Sequence, residues 1–148
     1  MRSALGTVVL LAGALLVGCG STPAPQINMA AAARSVWTAS GLRDYHFIYE
    51  AVCFCPPEDP ILVTVRAGKV VAGAYVTTHE PVSAARLSTL LSVDDLFTKL
   101  DAAHARPAHT AQVTFDRRYG YPTSLYIDWD VMIADEEIEY RVSDLVPD

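Results

Sequence analysis

The most unusual local feature of the chain is Cys53-Phe54-Cys55, followed at once by Pro56-Pro57. Two thiols one residue apart permit three chemistries: a disulfide that staples the chain, a redox-active dithiol, or part of a soft-metal site. Residues two apart on an extended chain are ~6.6 Å apart, at the upper edge of a disulfide's reach, so a staple requires a turn, which Pro56-Pro57 favours. A redox dithiol usually has a basic neighbour to lower one thiol pKa, whereas the charges that follow here are Glu58 and Asp59. A metal would need more ligands, and His46, His79, His104 and His109 show no paired ligand spacing. A second candidate is the turn containing Tyr119-Gly120-Tyr121-Pro122. Gly120 allows positive φ and Pro122 restricts Tyr121, so the loop is rigid and its aromatic pair either binds a partner or covers the end of the core. A third is the acidic run from Asp128 to Glu139. Its first, third and twelfth places suit a helix-loop-helix calcium loop, but Met132 and Ile133 occupy the fifth and sixth and the flanks read as strands. A looser calcium site from Asp128, Asp130 and Asp135 is the alternative to acids that solvate a hairpin loop, with Val131 and Ile133 folded back onto the core. Should Val131-Met132-Ile133 stay exposed, it becomes a candidate partner contact.

The third cysteine has a different context. Met1-Arg2-Ser3 precedes an apolar run from Ala4 to Val17, which as a helix would span only about 21 Å, short of the ~30 Å hydrocarbon core. Residues 1–18 therefore read as a secretory signal and not as a membrane span. Leu16-Val17-Gly18-Cys19 resembles the bacterial lipobox, which implies that Cys19 becomes the acylated N-terminus of the mature protein, carrying palmitate-type chains. Residues 19–27 then form a short Pro-bearing tether and 28–148 a single domain. Gly20 stands where an Asp favours inner-membrane retention in some bacteria, so the expected location is the outer membrane if the host has one.

The chain has 148 residues, 51% of them apolar, and a net charge of −6. That suffices for one packed domain and excludes a disordered chain. Losing the signal removes one Arg of 11 basic residues, so the working domain carries 10 basic and 17 acidic residues, a charge of −7. With no Lys or Arg cluster, a nucleic-acid partner is not expected. Membrane attachment falls to the lipid.

The periodicities name the elements that must position these residues. Met29, Ala32, Ala33, Val36 and Trp37 recur at helical spacing over 29–40, with Asn28 as N-cap and Gly41 as C-cap. From Asp44 the period becomes two, with Tyr45, Phe47, Tyr49 and Ala51 on one face. Ile61–Arg66 and Val70–Thr77 are strands joined by Ala67-Gly68, a hairpin turn. Ser92, with Asp95 three residues on, caps a helix whose stripe is Val93, Leu96, Phe97, Leu100 and Ala103. Three alternating strands follow: Thr110–Asp116, then Leu125-Ile127-Trp129, then Ile138-Tyr140-Val142. The expected fold is α+β, an antiparallel sheet with helices on one face in the order α-β-β-β-α-β-β-β, made of two similar halves.

Together Trp37, Tyr45-x-Phe47-x-Tyr49, Cys53-x-Cys55-Pro56, Val63-x-Val65, Gly68-Lys69-Val70, Leu96-Phe97, Phe115-Asp116-x-x-Tyr119-Gly120-Tyr121-Pro122, Ile127-Asp128 and Ala134-Asp135-Glu136-Glu137 resemble a family of small bacterial exported lipoproteins known only as a domain of unknown function. The resemblance covers roughly residues 36–145, and it departs at Ala67-Gly68, where the family more often looks like Asp-Gly. It implies no catalytic residue and no cofactor beyond the covalent lipid. No hydrolase elbow, phosphate loop or zinc-protease motif is present, so there is no ground to expect an enzyme. The expected role is a non-catalytic envelope module that offers the Tyr119–Pro122 and Asp130–Glu136 loops to another envelope protein. The alternative is a calcium- or redox-responsive module using the Asp128, Asp130 and Asp135 cluster or the Cys53-Cys55 pair.

Overall fold

The computed structural model describes residues 24–106 and 108–148. The signal segment, Cys19 and the first part of the tether lie outside the described residues. The elements run α1 (Ala24–Ser40), β1 (Tyr45–Cys53), β2 (Ile61–Arg66), β3 (Lys69–Tyr75), α2 (Ala84–Leu87), α3 (Val93–Ala105), β4 (Thr110–Phe115), β5 (Pro122–Asp128) and β6 (Ile138–Pro147). All six strands form one antiparallel sheet in the order β3-β2-β1-β6-β5-β4. Each half contributes a meander, and the halves join where β1 pairs with β6, from Tyr45 opposite Pro147 to Cys53 opposite Ile138.

Alternation decides which face is covered. Tyr45, Phe47 and Tyr49 of β1, Ile61, Val63 and Val65 of β2, Leu125 and Ile127 of β5, and Tyr140 and Val142 of β6 point to one side and are buried. The helices supply the other half of that core. The five stripe residues of α3 are all buried, and Ser92 closes a capping box with Asp95. The Ser92 oxygen accepts from Asp95 N–H at 3.2 Å, and the Ser92 N–H donates to the Asp95 carboxylate at 2.9 Å. This satisfies N–H groups that a helix start otherwise leaves without partners. Trp37 of α1 meets the Tyr45 ring edge-on at 5.3 Å and donates its indole N–H to Asp94 at 2.9 Å, so α1, α3 and the sheet converge on one residue.

The structure departs from the sequence reading at the first helix and between the two halves, and β3 ends at Tyr75 and β5 at Asp128, short of the expected Thr77 and Trp129. The first helix begins at Ala24, four residues before the expected Asn28 cap, and takes in the end of the tether. Pro25 falls in its first turn, where a missing N–H costs nothing because such groups have no intrahelical partner. A four-residue turn, α2, interrupts the segment between the halves, with Ser83 accepting from Arg86 N–H at 3.2 Å. The Ala67-Gly68 hairpin is present, with φ of 50° and 77° at its two turn residues. Asp44 accepts the Ala67 N–H at 2.7 Å and the Arg43 carbonyl accepts the Gly68 N–H at 2.8 Å, holding Ala67 in a conformation a side chain disfavours.

Candidate functional site

The strand directions bring the loops 54–60 between β1 and β2, 76–83 between β3 and α2, and 129–137 between β5 and β6 to one end of the sheet, together with the short connection from α3 into β4, since Thr110 pairs with Asp128. Because Cys53 pairs with Ile138, the 54–60 and 129–137 loops leave adjacent strands side by side.

Cys53 and Cys55 are joined as a disulfide, with their Cα atoms 5.2 Å apart. The Cys55 N–H donates to the Cys53 carbonyl at 2.8 Å, a three-residue turn that supplies the shortening an extended chain lacks. Phe54, at the apex, is 79% exposed. The loop behind it is anchored by Glu58, whose carboxylate takes Arg86 Nε at 2.9 Å and Nη2 at 2.6 Å, while the Tyr75 hydroxyl donates at 3.3 Å. Arg86 holds the Glu58 carboxyl below the usual carboxylate range, and its guanidinium lies 5.9 Å from the Tyr49 ring centre. Burial raises the Tyr49 hydroxyl well above its ordinary value, so this phenol is not a base. A cleft of about 240 Å³ runs beside the disulfide, lined by Tyr49, Glu50, Cys53, Cys55, Pro57 and Asp59 among others. It brings no nucleophile together with a base among the described residues.

The 129–137 loop is braced from within. Asp130 accepts the Met132 N–H on its side chain at 2.9 Å and the Ile133 N–H on its carbonyl at 2.9 Å, and Glu136 accepts the Asp130 N–H. Asp135 closes the loop at φ 69°. The bracing turns the apolar triplet outward: Val131, Met132 and Ile133 are 65%, 86% and 54% exposed. Val131 and Ile133 therefore do not fold back onto the core; the turn that Asp130 holds through the Met132 and Ile133 N–H groups keeps them outward. Asp128, Asp130 and Asp135 are not gathered, and no group of three His, Cys, Asp or Glu side chains among the described residues could hold a metal ion.

The Tyr119–Pro122 loop sits at the opposite end, where β4 turns into β5. Gly120, Tyr121 and Pro122 are buried and Tyr119 is half-buried. Gly120 adopts φ 77° with α1 packed directly on it; a Cβ there would lie 3.0 Å from the Val36 Cβ and nearer still to the Ala33 carbonyl oxygen. Asp116 ties the turn by accepting from Arg118 and Tyr119 N–H at 2.9 and 2.6 Å. Through Gly120 this turn seats α1 against the β4–β5 end of the sheet. Sequence reasoning missed the Glu58–Arg86 pair, since neither residue lies in a motif and 28 positions separate them.

No curated protein and no solved structure matches the chain. Residues 29–147 match the family of unknown function DUF6174, and over that span, which is nearly all of the described fold, the chain belongs to this family.

Proposed function

We propose that the chain is a lipid-anchored envelope protein whose domain acts as a non-catalytic docking module through the Phe54 and Val131–Ile133 end of the sheet. One observation carries the docking half of this reading. Four large apolar side chains stand exposed on two neighbouring loops, each loop fixed by its own covalent or hydrogen-bonded brace. Isolated exposed apolar residues are ordinary, but a rigid group of them at one end of a sheet marks a contact surface. The anchor half rests on the Leu16-Val17-Gly18-Cys19 segment.

The test places a photo-crosslinking amino acid at Phe54 or Met132 of the full chain in intact cells, with Ser35, exposed on α1, as the control position. A discrete adduct from the first two sites and not from the third is expected; equal yields from all three sites, or none, would refute docking. Incorporation of an alkyne-bearing palmitate that disappears in Cys19→Ser is the expected result for the anchor. Unlabelled wild-type protein would refute it.

A further inference from the structure

The charges around the apolar tip narrow the chemistry of what docks there. The loops 54–60, 76–83 and 129–137 carry Glu58, Asp59, Glu80, Asp130, Asp135, Glu136 and Glu137, and not one Lys or Arg. The Arg86 guanidinium, beside the first of these loops, is already committed to Glu58 in a bidentate pair. Arg106, on the short connection before β4 at this same end, is engaged with the face of the Trp129 ring at 5.3 Å. Much of the positive charge lies at the far end, with Arg43, Lys69, Arg117 and Arg118 in or beside the turns there.

We infer that this end binds a protein whose docking site is an apolar socket rimmed by Lys and Arg, and not a lipid surface. The inference rests on the docking reading above and specifies the partner's chemistry. An apolar tip on loops whose charges are all carboxylates is disfavoured at a bilayer, where anionic headgroups would repel them while the four side chains entered. A basic rim turns the same carboxylates into attraction, steering the encounter and fixing the register while the apolar anchors supply the contact energy. An identical copy is also disfavoured at this end, because two such ends would oppose acid to acid.

The experiment uses the full chain with the photo-crosslinker at Met132, in the wild-type background and with Asp59→Lys plus Glu137→Lys, two loop carboxylates that brace neither loop through a hydrogen bond or ion pair to another of the described residues. Asp59→Lys alone serves as a second variant should the double variant unfold, and urea midpoints establish that each is folded. The expected result is an adduct with a different protein. Its yield should fall about tenfold in the double variant, and in wild-type membranes as KCl rises from 0.05 to 0.5 M. An adduct whose yield ignores both charge reversal and salt overturns the basic rim while leaving docking intact. An adduct with lipid or with a second copy also overturns it. No adduct at all removes the docking reading and this inference together.

Discussion

Gly120→Ala tests how firmly the helical layer is seated on the sheet. Two costs arise at this position. An alanine held at φ 77° pays the left-handed penalty of about 1–2 kcal/mol. Its methyl would also meet the Ala33 carbonyl group and, at 3.0 Å, the Val36 Cβ. The nearest of these atoms is backbone, so no flexible side-chain end can swing aside, and α1 or the turn must move; overpacking of this kind costs about 1–3 kcal/mol. The sum, about 2–5 kcal/mol, is a large share of the 5–15 kcal/mol that holds a typical domain together. Gly41→Ala is the internal control, since Gly41 has φ 66° but nothing within 4 Å of its Cβ position, leaving the backbone penalty alone. Trp37 reports the transition, because it lies on α1, buried against Tyr45. With an m-value of about 1.5 kcal/mol per M in urea, the fluorescence midpoint should drop by about 1.5–3 M for Gly120→Ala and by about 1 M for Gly41→Ala. Equal drops in the two variants would mean that α1 does not press on the β4–β5 turn, and the packing argument would fail.

Three further outcomes follow from the same geometry. Glu58 is held ionised by Arg86, so its native pKa lies below its unfolded one, and its contribution is present above the unfolded value and lost as pH falls through the native value. Urea midpoints between pH 7 and 3 should therefore fall less steeply in Glu58→Gln, which at pH 7 loses about 0.5–1 kcal/mol; parallel curves would exclude the coupling. Replacing Cys53 and Cys55 by Ser should cost no more than about 1.6 kcal/mol, because the loop closed is only three residues long, and a larger loss would give the bond a wider structural role. Ala67→Asn should add roughly 0.5–1 kcal/mol of stability and so raise the thermal midpoint, since Asn tolerates the φ of 50° better than Ala, and an unchanged midpoint would argue against a left-handed conformation at Ala67.

Local chemistry was the legible part of this fold. The Ser92 and Asp95 pair, the α3 stripe and the two-residue hairpin are each decided within a few positions, and the structure has all three. The strand order within each meander follows from short connections. The β1–β6 seam does not, since it pairs segments about a hundred residues apart, and only the sum of both halves' burial selects it. A signal for the irregularity in β6 was present in the sequence. The buried residues run Tyr140, Val142 and then Leu145, a step of three where alternation requires two, and Asp144 at φ 52° takes up the extra residue. Gly120 was legible as a positive-φ residue, but its close approach to α1 was not, because helix placement is a tertiary fact. In the 129–137 loop, hydrophobicity alone gave the wrong direction for Val131 and Ile133. Their outward orientation comes from Asp130, whose side chain and carbonyl capture the next backbone N–H groups before the apolar residues can turn inward.

The braces on the two tip loops bear on how an apolar tip can be tolerated at the surface of this domain at all. An unbraced Phe54 or Met132 would gain by collapsing onto the nearest apolar surface, and docking would first have to undo that collapse and then order the loop, at about 0.5–1.5 kcal/mol per immobilised side chain. The Cys53–Cys55 bond and the Asp130 turn impose that ordering during folding, so little of it is left to oppose association. The opposite danger, contact between copies, is countered by the seven carboxylates on the loops at this end, all of one sign. Rigidity and like charge thus act on different competitors: the brace removes the intramolecular alternative and the acidic rim removes the homotypic one. A complementary basic socket is disfavoured by neither, which is the physical sense in which the proposed docking would be selective.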